Sequence, residues 1–122
     1  MVLYETAWHV FMPLVLLFLW RRGQREPLYR QHWDERWGQT STTLVKPIWV
    51  HSASLGELRG VAPLVQGLLD AGYPIMLTTL TPAGRTAAEV LFQQAISTGR
   101  LQVAYAPFEW RSVVRQFISA VQ

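Results

Sequence analysis

The chain has 122 residues, about the size of one domain, and 50% of them are hydrophobic while only 16% are charged. Its net charge of +3 is too weakly basic to indicate nucleic-acid binding, and the sequence has neither a lysine and arginine tract nor a nucleic-acid motif. Cysteine is absent, which excludes disulfides, thiol catalysis and cysteine metal sites.

The first predicted element is an apolar and aromatic segment that ends at Trp20 and is followed at once by the basic sequence RRGQR. Its uncharged part, residues 6–20, is shorter than the roughly 20 apolar residues that span a membrane. A secretory signal peptide is a poor fit, because the basic residues follow the apolar run instead of preceding it. The sequence therefore predicts a membrane anchor over residues 1–22 that spans the membrane or lies on it, with a buried core helix of a soluble protein as the alternative.

Basic and aromatic residues at the end of this segment predict contact with lipid headgroups. Arginines directly after an apolar segment are typical of its cytoplasmic side, and arginine offers a planar fork of donors to phosphate oxygens. The candidates for contact with the membrane or with lipid phosphate are Trp20, Arg21, Arg22 and Arg25. A solvated surface position is the alternative for each arginine.

A polar connector is predicted over residues 23–45, with a loop at residues 39–43 that separates the anchor from a globular part. Asp34, Glu35 and Arg36 are adjacent charged residues within it. Charged side chains are mostly exposed in proteins, so a solvated charge cluster is the expected role of these three residues.

From Lys46 onward, short β-branched and apolar runs alternate with stretches of helical periodicity. The predicted strands are residues 48–50, 75–80 and 101–105. Helices are predicted from Leu58 to Leu69, from Thr81 to a break at Thr98, and from Glu109 onward. This order predicts an α/β fold with a parallel sheet and right-handed crossovers, a partial Rossmann-like domain over residues 46–122 with an incomplete sheet.

Ligands of such sheets bind at the carboxyl ends of the strands, which directs attention to the turns HSASLGE, TLTPAGR and YAPFEW. The sequence SASLG resembles a nucleophile elbow, but Ser52 replaces the first glycine and every histidine precedes Ser54, against the order that a hydrolase triad requires. A dinucleotide fingerprint needs three glycines where only Gly56 and Gly60 are present, and no Walker sequence occurs.

A carboxylate at a helix N-terminus remains as the candidate for chemistry in the first turn. Glu57 follows a loop of small residues that would let a substrate approach the backbone, and the helix dipole favours its ionised, proton-accepting form. The alternative is a helix-terminal acid that only stabilises the helix.

Four segments in register resemble the Kdo (3-deoxy-D-manno-octulosonic acid) transferase family, the membrane-associated glycosyltransferases of lipopolysaccharide synthesis. HSASLGE resembles the family's H-x-x-S-x-G-E turn, TTLTPAGR its T-T-x-T-P-x-G segment, and YAPFEWRSVVRQFI its Y-x-P-x-D segment. LWRRG and YRQHWDERWG resemble the R-G and Y-R-x-x-x-x-E-R-x-G pattern that follows the family's N-terminal hydrophobic segment.

The resemblance implies a two-Rossmann-domain glycosyltransferase with CMP-Kdo as donor and a lipid A precursor as acceptor, at the cytoplasmic face of the inner membrane. Glu57 falls on the family's catalytic base, and no metal or cofactor is implied. The implied acceptor-binding residues are Ser54, Gly56, Arg59, Thr81 and Gly84. Arg59 is also a candidate for lipid phosphate.

The family's nucleotide-binding C-terminal domain is expected to lie beyond Gln122, so the resemblance implies that these residues form an acceptor-side part that is inactive alone. Two alternatives stay open. The chain could be a non-catalytic membrane-associated α/β module, or part of a related glycosyltransferase with a different donor.

Overall fold

Three short strands form a parallel sheet at the centre of the computed structural model, which describes residues 1–122. The strands are β1 (Ile48–Ser52), β2 (Ile75–Thr79) and β3 (Leu101–Tyr105), and they lie in the order β1-β2-β3. Ser52 pairs with Thr79 and Thr79 with Tyr105, so the last residues of all three strands lie side by side at the carboxyl edge. The predicted α/β fold with a parallel sheet is confirmed.

Six α-helices and one 3₁₀ turn surround or precede the sheet. They are α1 (Val2–Arg25), a 3₁₀ turn at Pro27–Arg30, α2 (Trp33–Arg36), α3 (Leu55–Asp70), α4 (Pro82–Leu91), α5 (Gln93–Ser97) and α6 (Arg111–Val121). The helices that connect the strands begin at polar caps, Ser54 for α3 and Thr81 for α4, whose side chains accept from the first-turn backbone.

Some element bounds differ from the sequence prediction for local reasons. Strand β1 continues to Ser52, while the second predicted helix is divided at Phe92 into α4 and α5. The last helix begins at Arg111 and not at Glu109, because the Trp110 N–H donates to Phe108 O and forms a turn before the helix.

Helices cover both faces of the sheet with separate apolar cores. On one face, α3 and α4 bury Leu58, Val65 and Ala88 against the strands. On the other face, Phe117 and Val121 of α6 pack with apolar residues of β2 and β3. Side chains of alternating strand residues supply the two cores, as expected for a sheet that is covered on both sides.

Helix α1 packs on the domain through a narrow stripe. Met12 and Leu19 are buried against Phe108, with tryptophan side chains around them. The rest of its apolar surface is exposed, and only 11% of the most hydrophobic stretch of α1 is buried. By length and composition, α1 is the one helix here that could cross a membrane. Its exposed large side chains include Val10, Phe11, Leu14, Leu17, Phe18 and Trp20.

The segment predicted as a connector contains the 3₁₀ turn and α2, and the expectation for its charged residues is wrong in part. Asp34 is exposed, but Arg36 is 3% exposed and the Glu35 side chain 12%. Both side chains point to the carboxyl edge of the sheet, where they find polar partners. The division into residues 1–22, 23–45 and 46–122 stays a prediction.

Candidate active site

The turns after the three strands meet at the carboxyl edge of the sheet, because the strands are parallel and end in register. The turn after β1 leads through Ser54 into α3, and the turn after β2 leads through Thr81 into α4. The Ala106 N–H after β3 donates to Thr79 O over 2.9 Å, which ties two of these turns together. The sequence predicted the catalytic and acceptor-binding residues at this edge.

Glu57 lies in the first turn of α3 and is held by two hydrogen bonds to the residues before it. Its N–H donates to Ser54 Oγ over 3.3 Å, and its Oε2 accepts from the Ala53 N–H over 2.7 Å. This resembles a capping box, with the carboxylate bonded one residue before the cap. The bond fixes the carboxylate with a neutral donor at the positive end of the helix dipole.

The second carboxylate oxygen of Glu57 has no partner in the protein. The residue is exposed, and no basic side chain forms an ion pair with it. An ionised carboxylate with one oxygen anchored and the other open to solvent can accept a proton from a hydroxyl that approaches within hydrogen-bond distance. The arrangement is therefore chemically suited to general-base work.

The other residues predicted on the first turn of α3 are also accessible. Gly56 and Arg59 are exposed and Ser54 is half-buried. A side chain added at Gly56 would meet only Ser54 Oγ, at 3.9 Å. Space for a substrate therefore exists beside Glu57.

The residues predicted on the first turn of α4 have structural duties. Thr81 Oγ1 accepts from the Gly84 N–H over 3.1 Å, which caps the helix. Gly84 is buried, and a Cβ there would lie 2.5 Å from Thr79 Oγ1, so only glycine lets α4 approach β2 this closely. Packing and capping account for both residues, and their predicted contact with an acceptor stays a prediction.

An apolar groove runs between the start of α3 and the length of α4. Its volume is about 630 Å³, and Leu55, Leu58 and Arg59 line one side while Pro82 and Ala87 line the other. Glu26 and Leu28, which directly follow α1, close one end. No three His, Asp or Glu side chains come together in an arrangement that could hold a metal ion.

The predicted headgroup contacts lie on the last turns of α1. Trp20, Arg21, Arg22 and Arg25 are all exposed, and Arg22 pairs with Glu26 over 3.0 Å. Their exposure at the end of the apolar helix is compatible with a membrane surface, and their roles stay predictions.

Sequence reasoning missed a buried polar cluster at the same edge, here called the Glu35 cluster and made of Glu35, Arg36, Leu80, Arg85 and Tyr105. Glu35 Oε2 accepts from the Tyr105 N–H over 2.8 Å, and both Glu35 oxygens accept from Arg85. Arg36 donates to Leu80 O over 3.0 Å. The guanidinium carbons of Arg36 and Arg85 lie 4.1 Å and 4.9 Å from the centre of the Tyr105 ring.

Burial and neighbouring charges shift the pKa values of three members of the Glu35 cluster. Burial lowers the pKa of Arg36. Burial also acts to lower the pKa of Arg85, but the hydrogen bond and charge of Glu35, with those of Glu89, outweigh it and leave the pKa raised. Burial raises the pKa of Tyr105 against the opposing effect of the two arginines. The only sequence signal for this cluster was the segment YRQHWDERWG, which contains Glu35 and Arg36 and resembles the pattern Y-R-x-x-x-x-E-R-x-G.

Comparison with known proteins gives a family. The family model described as 3-Deoxy-D-manno-octulosonic-acid transferase (kdotransferase) matches residues 31–122. The 3-deoxy-D-manno-octulosonic acid transferase of Bordetella pertussis is 38% identical over 121 residues, which cover 95% of this chain and 28% of that protein. The protein of the same description from Haemophilus influenzae is 30% identical over 125 residues, with 98% and 28% covered. The chain thus spans 28% of the length of each relative, and no solved structure matches it.

Proposed function

The chain belongs to the 3-deoxy-D-manno-octulosonic acid (Kdo) transferase family, and on that premise we propose that it forms the acceptor side of a glycosyltransferase. The donor in this proposal is CMP-Kdo, the acceptor is a lipid A precursor, and the reaction takes place at the cytoplasmic face of the inner membrane. The observation that carries the proposal is Glu57, a carboxylate anchored by the Ala53 N–H and open to solvent at the carboxyl edge of the sheet.

In the proposed reaction, a hydroxyl oxygen of the acceptor attacks the anomeric carbon of Kdo. The bond from that carbon to the phosphate oxygen of CMP breaks, and CMP leaves with the electron pair. The hydroxyl proton passes to the free oxygen of Glu57, so charge and atoms balance without a metal. General-base help of this kind contributes a factor of roughly 10² to 10⁴ in rate.

Acceptor binding is proposed to use the first turn of α3 and the basic residues near it. Ser54 and Gly56 leave open space beside the carboxylate. Arg59 is exposed two residues after Glu57 in α3 and can offer a bidentate pair of donors to a phosphate group of the acceptor. The nucleotide of the donor is proposed to bind to residues outside these 122.

Membrane attachment is proposed to use the exposed apolar surface of α1. Leu14, Leu17 and Phe18 are exposed to solvent in the isolated chain, which would be unfavourable in water. The arginines Arg21, Arg22 and Arg25 end the same helix, where they would meet anionic headgroups. The acceptor and the catalytic edge would then lie at one membrane surface.

The experiment uses a chimera in which residues 1–122 replace the matching N-terminal part of the Bordetella pertussis relative. The purified chimera in detergent is given labelled CMP-Kdo and a lipid A precursor, with the intact relative as the positive control. Labelled lipid product is expected. A chimera that is folded and transfers nothing from CMP-Kdo, while the relative does, would refute the proposal.

A further inference from the structure

Two adjacent residues of α2 bind the turns that follow β2 and β3. Arg36 reaches Leu80 O after β2, while the Tyr105 N–H at the end of β3 donates to Glu35. The Phe108 N–H donates to Arg36 O over 2.8 Å. A short helix before the domain is therefore fastened to the carboxyl edge at several points, on the edge that carries Glu57.

The charges of these contacts favour one arrangement. The side chains of Glu35 and Arg85 are each 12% exposed, and Arg36 is 3% exposed. A single carboxylate is shared by the Arg85 guanidinium and a backbone N–H, so it cannot move without leaving the Tyr105 N–H unpaired and Arg85 with only the exposed Glu89 as a partner. Losing one partner of a buried ion pair is strongly unfavourable, which makes the position of α2 well defined.

The turn at residues 106–110 connects this cluster to α1. Its backbone is bound to α2, because the Phe108 N–H donates to Arg36 O. Its side chains contact α1, since Phe108 packs against Met12 and Leu19, and the ring of His9 lies 4.4 Å from that of Trp110. The turn is thus held between α1 and the sheet edge.

We propose that Glu35 is a positioning residue that fixes α1 to the catalytic edge, and so holds Glu57 at a set height above the membrane. The proposal rests on the proposed function, in which α1 lies in the membrane and the acceptor hydroxyl is presented at its surface. A base must come within hydrogen-bond distance of its hydroxyl. A displacement of about 1 Å can reduce the rate of a well-aligned reaction by roughly 10²-fold.

The test is Glu35→Gln in the chimera, assayed with two presentations of the acceptor. Glutamine keeps the shape of the side chain and can accept from the Tyr105 N–H, but it loses the ion pair with Arg85. With the acceptor embedded in vesicles, kcat/KM is expected to fall by roughly 10- to 100-fold. With a short-chain acceptor dispersed in detergent, which can reach Glu57 at any height, it is expected to stay within about threefold of the unsubstituted protein, because the base itself is unchanged.

Glu89→Gln is the matched control. Glu89 also pairs with Arg85, over 3.0 Å, but it is exposed and does not contact the Tyr105 backbone. It should therefore change neither assay. Equal losses with both acceptors would overturn the positioning role and leave only a structural one. An unchanged rate on vesicles would also overturn it.

A second measurement tests the positioning role without enzymatic activity. These 122 residues contain no cysteine, so Gly60→Cys, at an exposed site with open space, can carry a single fluorophore in a chimera whose Bordetella part has its cysteines replaced by serine. Depth-dependent quenching by labelled lipids in vesicles should give one narrow height above the bilayer, and Glu35→Gln should broaden it. If both height distributions are equal, the positioning role is wrong. If the chimera is inactive on both acceptors while the height still broadens, the proposed function fails and the positioning role stands.

Discussion

Replacing Gly38 by alanine tests the contact between the polar connector and α6. Gly38 has φ +78°, and a Cβ there would lie 2.5 Å from Val113 O and 3.3 Å from the Phe117 N atom. These are backbone atoms inside a helix, so they cannot turn aside. The left-handed conformation costs a residue with a side chain about 1–2 kcal/mol, and forcing an extra methyl into a packed site costs about 1–3 kcal/mol. The expected loss in unfolding free energy is therefore about 2–5 kcal/mol.

Two other glycines separate these contributions. Gly72 has φ +92° with nothing within 4 Å, so Gly72→Ala should lose only the conformational part, about 1–2 kcal/mol. Gly67 lies inside α3 with open space around it, so Gly67→Ala should gain about 0.5–1 kcal/mol. Urea unfolding in mild detergent, followed by tryptophan fluorescence, measures all three. If Gly38→Ala loses no more than Gly72→Ala, the close approach of Gly38 to α6 is wrong.

Leu14→Asp should lower the fraction of the chain recovered with sedimented vesicles, because Leu14 is 59% exposed on α1. The control Leu64→Asp, at a site 58% exposed on α3, should leave that fraction unchanged. Equal recovery of the two variants would contradict membrane binding by α1. Ser54→Ala should destabilise the fold by about 1 kcal/mol through loss of the α3 cap. Thr81→Ala should destabilise it by a similar amount through loss of the α4 cap. Unchanged urea midpoints would contradict these capping roles. Burial raises the folded-state pKa of Tyr105 above 10.0, so its contribution to stability is complete below pH 10 and is lost as the pH rises through the folded-state value. The unfolding free energy in urea should therefore fall less between pH 9 and about pH 11 for Tyr105→Phe than for the unsubstituted chain. An equal fall in both proteins would contradict a buried phenol.

The alternation of strands and helices could be predicted because it depends on local periodicity and on turn chemistry. Ser54 and Thr81 are good caps in any context, and the three strands follow from their short apolar runs. The position of Glu57 at the start of α3 was predictable for the same reason. The hydrogen bond from the Ala53 N–H to its carboxylate is a local contact across four residues.

The Glu35 cluster could not be predicted in the same way. Glu35 accepts from a backbone N–H that lies 70 residues later in the chain, and Arg36 donates to a carbonyl 44 residues later. In isolation, a charged run is expected to be solvated, because burying it costs more than it gains unless partners are supplied by the fold. The tertiary structure supplies those partners at the carboxyl edge of the sheet, and the expectation failed there.

The most direct test of the central claim is the turnover of the chimera carrying Glu57→Gln on CMP-Kdo and a lipid A precursor. Glutamine can still accept from the Ala53 N–H, so the fold and the membrane binding should be kept, while the proton acceptor is lost. We expect kcat to fall by roughly 10² to 10⁴ with little change in KM. The control Glu89→Gln, also an exposed helical glutamate, should be unaffected. Near-normal kcat in Glu57→Gln would contradict the claim and leave Glu57 as a residue that only caps α3.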